Sequence, residues 1–392
     1  PVTYAAYNGE KVVFDGGVHI PSSAFTSAAN TSISSRIPSV NPVYCVDLKQ
    51  FGIYDFGDGD DKAYSADFIA DLEVFSKGEP MVTARYPNVN AKGEQQYLLS
   101  GTNTNGDNYS LISYTDETLE NAASFDGAFI EGWLKNGYDY HGAAILDVDR
   151  ENNTFKIGYN GTLDKEVRYF IKNIPEALNS PGEYYIDRGT GLLYIIPNGS
   201  ISDADITVSV FGKDISQPVI KTNGASYINF KGFTITDCRA GGIYIYGGKN
   251  ISVDSCEIKN VGYCGIIVGS EMRHGKYLTV NGANVYSSSF YNPSYEKSSG
   301  HSITNSKIYD AGESAVKLVG GDRINLVAAD YTLSNCELHD CGRLIKDVPT
   351  VDAVGVGITI SNNKIYNAAC AGITMGGNDI IIEKNEFYNC AN

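Results

Sequence analysis

Between Tyr227 and Cys390 apolar and polar positions alternate in short runs, and the runs recur. Each copy opens on a branched or aromatic residue and reaches an Asp or Asn: FKGFTITD, VDSCEIKN, ITNSKIYD, LSNCELHD, ISNNKIYN and IEKNEFYN. The copies close at Asp237, Asn260, Asp310, Asp340, Asn367 and Asn389, which lie 23, 50, 30, 27 and 22 residues apart. Coils of one size with side-loop insertions give such a series. A second apolar run follows each corner: GIYIYGG, GIIVGS, AVKLVGG, VDAVGVG and GITMGG. Strict alternation turns Ile243, Ile266, Val316, Val351 and Ile373 inward, and Tyr244, Ile267, Lys317, Asp352 and Thr374 outward. Side-chain amides and carboxylates stacked at one corner can cap the backbone of successive turns. The pattern predicts an all-β fold, a right-handed parallel β-helix.

The rest of the chain has a different rhythm. Residues 1–17 read as one or two strands of a coil, and residues 71–87 as a hairpin about Lys77-Gly78 that stops at Pro87. From 88 to 205 the solenoid pattern is absent. NIPEAL reads as a short helix with Pro175 in its first turn, and Gly182–Pro197 as a hairpin turning at Gly189-Thr190-Gly191. This predicts three parts: early coils and a hairpin over 1–87, a mostly antiparallel β insertion over 88–205, and the main solenoid over 206–392.

Composition supports strands and turns, with 42 Gly and 28 Tyr but one Trp and three Met. A formal net charge of -16 argues against a nucleic-acid partner, whose phosphates call for Lys and Arg. Cys238, Cys341 and Cys390 share one column of the repeat with Val261, Ala311 and Ala368, so they read as small buried residues and not as a disulfide framework. No CxxC pair suggests zinc, and the acidic loop Asp55–Asp61 lacks the spacing of a calcium loop, so no cofactor is expected. No apolar run is long enough to span a membrane. A monomer is expected, with a secreted or cell-surface location favoured.

Several phrases occur in a telling order: CVDLKQFGIYDFG, ARYPN, NIPEALNSPGEYYIDRGTGLLYIIP, LVGGDR, HDCGR and ITMGGNDIIIEKNEFYNC. Together they resemble the right-handed β-helix proteins of glycoside hydrolase family 141, including the insertion domain between their early coils and main solenoid. The resemblance implies hydrolysis of glycosidic bonds in plant cell-wall polysaccharide, with xylanase and α-L-fucosidase activities known in the family. It also implies a further coil beyond Cys390 with an acidic SDAGA-like motif. The chain departs from the family at Tyr138, Asp139 and Tyr140, where relatives carry Trp, and at Asn362-Asn363, where they carry His-Asp or His-Asn.

Glycoside hydrolysis calls for two carboxyl groups, about 5 Å apart for retention and roughly 6.5–9.5 Å for inversion. Asp322 and Asp379 follow equivalent Gly-Gly turns two coils apart, so their backbones should stand about 9–10 Å apart, with Asp352 in the intervening coil. Asp379 is the expected base or nucleophile and Asp352 or Asp322 the acid, with Lys317, Arg323 and Arg343 holding sugar hydroxyls or uronate groups. Tyr277, Tyr286, Tyr291 and Tyr295 of the loop over 270–300 are candidate walls of a saccharide cleft. A column from Thr236 through Lys259, Tyr309, His339 and Tyr366 to Tyr388 reads as an outer surface, an aromatic stripe for sugar stacking, and Glu313 as a solvent-facing corner. The same residues also fit plain turns for Asp322 and Asp379 and a cross-coil ion pair for Lys317 and Asp352. A polysaccharide lyase using Lys317, Arg323 or Arg343 as base, and a non-catalytic glycan-binding solenoid, remain alternatives.

Overall fold

The computed structural model describes residues 1–57, 71–90, 94–137, 139–159, 161–214, 216–269, 277–280, 283–286, 298–323 and 325–390. The chain divides into two compact units, one from Pro1–Gly17 and Ser209–Asn392, the other from Val18–Ala63 and Asp71–Val208.

In the first unit, alternating runs stack in parallel register. Ile220, Ile243, Ile266, Val316, Val351 and Ile373 form one inward column. Phe230, Val253, Ile303, Leu333 and Ile360 form a second, and Ile235, Ile258, Ile308, Leu338 and Ile365 a third. All three meet in one core, and Ile308 and its neighbours Ile258 and Leu338 are fully buried. Burying each such side chain contributes about 1.5–3 kcal/mol. The N-terminal strands Val2–Ala5 and Val12–Asp15 pair in parallel with Ile228–Lys231 and Phe233–Thr236, so residues far apart in sequence complete one coil. In the last two coils, single strands Val351–Ser361 and Ile373–Glu383 run through two of the stacks. They bend at Gly355 and Gly377, with φ of +142° and +139°; a Cβ on Gly355 would lie 1.7 Å from the Gly320 carbonyl oxygen of the coil below.

The corners explain the Asx column. Asp237, Asn260, Asp310, Asp340, Asn367 and Asn389 all adopt φ between +49° and +57°, a left-handed conformation that short polar side chains tolerate. Their side chains also bond between coils: Asn260 Nδ2 donates to Asp237 Oδ1 at 2.8 Å and Asn367 Nδ2 to Asp340 Oδ1 at 3.0 Å. At the next corner Asn363, 2% exposed, is an internal rung, accepting from Cys336 N and donating to the Leu333 carbonyl. Asn363 is thus a scaffold residue of the solenoid. The cysteines are free, and burial pushes the Cys238 and Cys341 thiols up to about 12, so they are packing residues.

On the outer face of the third stack the register gives a ladder of alternating charge, Glu257, Lys307, Glu337, Lys364 and Glu386. Beside it Tyr309, His339, Tyr366 and Tyr388 stack ring on ring, with centroids 4.8, 4.5 and 4.6 Å apart and planes within 9° of parallel. The rings cover one another's faces, which corrects the expectation of a sugar-stacking stripe: the inner rings offer solvent only edges.

The second unit is mainly antiparallel. Its largest sheet runs in the order Leu98–Leu99, Arg168–Lys172, Phe129–Lys135, Asp139–Asp149, Thr154–Ile157, Ser110–Ser113 and Asn103–Asn105, with Arg85–Tyr86 also beside Arg168–Lys172. Pro175–Ala177 is a single 3-10 turn, and Glu183–Asp187 pairs with Leu192–Ile195 as a hairpin. Tyr44–Asp47 pairs antiparallel with Leu192–Ile195, so the stretch after Gly17 is hydrogen-bonded into this unit, well before residue 88.

Candidate functional site

The outward column of the first stack runs Tyr244, Ile267, Lys317, Asp352 and Thr374 in register. It is not uniformly exposed, as alternation alone predicts. Tyr244, Ile267 and Lys317 are 1–2% exposed, while Asp352 is half-buried and Thr374 exposed. Lys221, in register with Tyr244, is exposed at the start of the column, and Asp352 is its solvent-reached carboxylate, with Oδ1 accepting from the Thr374 hydroxyl at 2.9 Å.

Beneath it lies a polar cluster that includes Lys317 and Glu313, two residues expected to face solvent. Glu313 is 0% exposed, not a solvent-facing corner. Its Oε1 meets Lys317 Nζ at 2.6 Å and its Oε2 accepts from the Cys264 thiol at 2.6 Å. The Lys317 ammonium lies 5.3 Å from the Tyr263 ring centroid. Burial works against the Lys317 charge, yet Cys264, Glu313 and Tyr263 hold its pKa well above the ordinary lysine value. Burial and the Glu313 carboxylate push the Cys264 thiol far up, so it acts as a donor and not as a nucleophile. Among the described residues the buried hydroxyl of Tyr244 has no hydrogen-bond partner.

A longer corner helps to explain the burial. Most copies place five residues between the Asx and the next inward residue, but ten separate Asp340 from Val351. The added residues turn over the neighbouring coil: Leu344 N and Ile345 N both donate to the Gly312 carbonyl, next to Glu313. Ile345 and Val348 are buried there. Arg343 begins this corner and donates from Nε to the Asp310 carbonyl at 3.0 Å, so the guanidinium braces backbone.

The other expected carboxylates lie elsewhere. Asp322 is 4% exposed and closes a loop, exchanging backbone hydrogen bonds with Val327 and accepting from the backbone N–H and Nδ2 of Asn325. Arg323 is exposed on that loop. Asp379 is exposed at φ +53° in the last coil, beside Gly357. Asp322 and Asp379 keep their two-coil relation, but Ala328 covers Gly357 between them: a Cβ there would lie 2.5 Å from the Ala328 Cβ. Asp379 stands five residues past Thr374, the partner of Asp352, or about 16 Å of strand. The structure thus brings Lys317 and Asp352 together with Glu313, Cys264 and Tyr263, and separates them from Asp322 and Asp379. Tyr277–Val280 and Ala283–Tyr286 form a small antiparallel pair, whereas Tyr291 and Tyr295 lie outside the described residues. Among the described residues no His, Cys, Asp and Glu side chains group as a metal site.

Residues 218–342 and 294–392 match the family model described as a right handed beta helix region. The fold is a right-handed parallel β-helix. No curated protein matches the sequence. A solved structure of a protein described as a glycoside hydrolase is similar over 98% of this chain and 88% of that one, with 11% identity and a TM-score of 0.54. A complex of XylC with xylose aligns with 98% of this chain, which spans 55% of that one, at 12% identity and a TM-score of 0.46. The catalytic unit of a GH87 α-1,3-glucanase from Streptomyces thermodiastaticus strain HF3-3 aligns with 95% of this chain and 68% of its own, at 9% identity and a TM-score of 0.29. At these identities the likeness is one of fold.

Proposed function

We propose that this β-helix is a carbohydrate-active enzyme that hydrolyses glycosidic bonds in plant cell-wall type polysaccharide at the outward face of its first stack, with Asp352 as the carboxyl group that meets the sugar. The observation that carries the reading is the ordering of one column, in which a buried, fully paired lysine is followed by a reachable carboxylate and an exposed threonine. A cation fixed one coil from Asp352 stabilises negative charge on the oxygens around it, and a rigid sheet holds that arrangement before substrate arrives. Glu313, fully buried against Lys317, fixes that cation from below. The resemblance to glycoside hydrolase family 141 and the fold shared with a protein described as a glycoside hydrolase agree with this reading. Asp322 serves as a loop organiser and Asp379 as an exposed strand residue.

Release of reducing ends from xylan and from pectic side chains tests the proposal, with Asp352→Asn, Glu313→Gln, Asp322→Asn and Asp379→Asn compared with the parent. Loss of roughly a hundredfold or more in Asp352→Asn, with Asp379→Asn near the parent rate, is expected for a group acting in proton transfer. Parent-like activity in Asp352→Asn overturns the assignment. New ultraviolet absorbance from uronate polymers would identify a lyase.

A further inference from the structure

The central strands of the largest sheet in the second unit have two unlike faces. Ile130, Leu134, Ala143, Tyr169 and Ile171 point into that unit's core. Alternation turns Glu131, Trp133, Tyr140 and Phe170 to the opposite side, where the register sets Trp133 between Tyr140 and Arg168. These residues form a charged aromatic cluster that the hydrolytic reading does not use. The Trp133 and Tyr140 rings meet edge to face at 5.0 Å and 73°. The Arg168 guanidinium lies 5.8 Å from the Trp133 ring centroid and 5.9 Å from that of Tyr97. Below them Arg85 covers Phe170 at 3.4 Å, and Glu131 pairs with Lys172 at 2.6 Å while accepting from the Tyr140 hydroxyl at 2.6 Å. The lower layer is buried, but Trp133 and Tyr97 are half-buried and Arg168 and Gln96 are exposed.

We propose that this face binds a glycan chain, a pyranose ring seating against Trp133 and Tyr97 while Arg168 donates to its hydroxyl or carboxylate oxygens. Sugars present a C–H face ringed by oxygen atoms, and the cluster is the complement: half-exposed aromatic rings beside planar donors. Stacking already orders the Arg168 fork, so binding costs little of its rotamer freedom. The buried layer below locks the rings from behind, as a preorganised site needs. A net charge of -16 argues against nucleic acid as the occupant. The site stands independently of Asp352.

Trp133 is the only tryptophan in the chain, so its fluorescence reports on this face alone. Titration of the intact protein with xylohexaose and with oligogalacturonate is expected to give a saturable change in emission with at least one of them. Arg168→Ala and Tyr97→Ala should each weaken that affinity about tenfold, which corresponds to ~1.4 kcal/mol. Asp352→Asn should leave the affinity unchanged even if it abolishes hydrolysis, which separates failure of this inference from failure of the hydrolase reading. No emission change with either sugar up to about 10 mM, where even a ~1 mM site is nearly filled, overturns the proposal. So does an unchanged titration in Arg168→Ala and Tyr97→Ala. Arg168 is exposed, and thermal unfolding close to the parent's would confirm that its variant is folded.

Discussion

Acid should weaken the solenoid through a single histidine. His301 is 2% exposed, its Nδ1 accepts from Ile251 N at 3.1 Å, its Nε2 meets the Ser298 hydroxyl at 3.1 Å, and its ring lies 5.4 Å from that of Tyr331. Burial lowers its pKa from 6.5 to about 4. The unfolded chain therefore takes up a proton in a range where the folded chain refuses it. Stability is whole above the unfolded pKa and is lost as pH falls toward the folded one. At ~1.4 kcal/mol per pH unit, the full loss is about 3 kcal/mol, most of it incurred by about pH 4.5. His301→Asn keeps an acceptor near the Nδ1 position and cannot take the proton. Urea unfolding of parent and variant at about pH 7.5 and about pH 4.5 measures the effect as a change in the gap between them. The parent should lead at the higher pH, because its ring packs on Tyr331, and that lead should shrink by about 2–3 kcal/mol or reverse at the lower pH. A gap that stays constant refutes the reasoning.

Three further outcomes can be checked in the same way. Glu183, whose carboxyl burial raises to about 7 despite donors from Asn179 N and Ser180 N, has the opposite sign. It costs stability as pH rises through the range from its unfolded value toward 7, so Glu183→Gln should stabilise the second unit at about pH 8 by roughly 1–2 kcal/mol and do little at about pH 5. Ile308→Ala removes a fully buried rung and should lower the unfolding free energy of the first unit by about 2–5 kcal/mol in urea titrations; a loss below about 1 kcal/mol would mean that the coil closes over the gap. Lys317→Met alone strands Glu313 and should cost about 3–5 kcal/mol, whereas adding Glu313→Gln should recover most of it; equal instability of single and double variants would contradict a paired buried charge.

The fold was legible because the solenoid repeats its physics at every coil. A period of two marks the inward residues, and a corner that needs φ near +50° selects Asp and Asn, so Asp237 to Asn389 stand out even at 22–50 residue spacing. The candidate site was legible only in part. Lys317 and Asp352 could be placed on one column by counting, but counting distinguishes only faces and not depth. What hides Glu313 includes the five residues added after Asp340, a nonrepeating feature that a repeat pattern ignores. The ten residues between Asp340 and Val351 were the available signal. Asp322 and Asp379 were placed by their Gly-rich context alone, and the structure sets Asp322 in a loop it helps to close and Asp379 within the strand Ile373–Glu383. The aromatic column, too, could be counted correctly while the tilt that packs ring on ring stayed invisible.

The alternating ladder Glu257, Lys307, Glu337, Lys364 and Glu386 restricts how such a solenoid can grow or shrink. Excising the coil that carries Lys307 would bring Glu257 against Glu337, and like charges directly opposite are destabilising. Excising the Lys307 and Glu337 coils together would set Glu257 against Lys364 and restore attraction. The column therefore has parity: coils are interchangeable in pairs and frustrated singly, so a length variant of this scaffold should gain or lose two at a time.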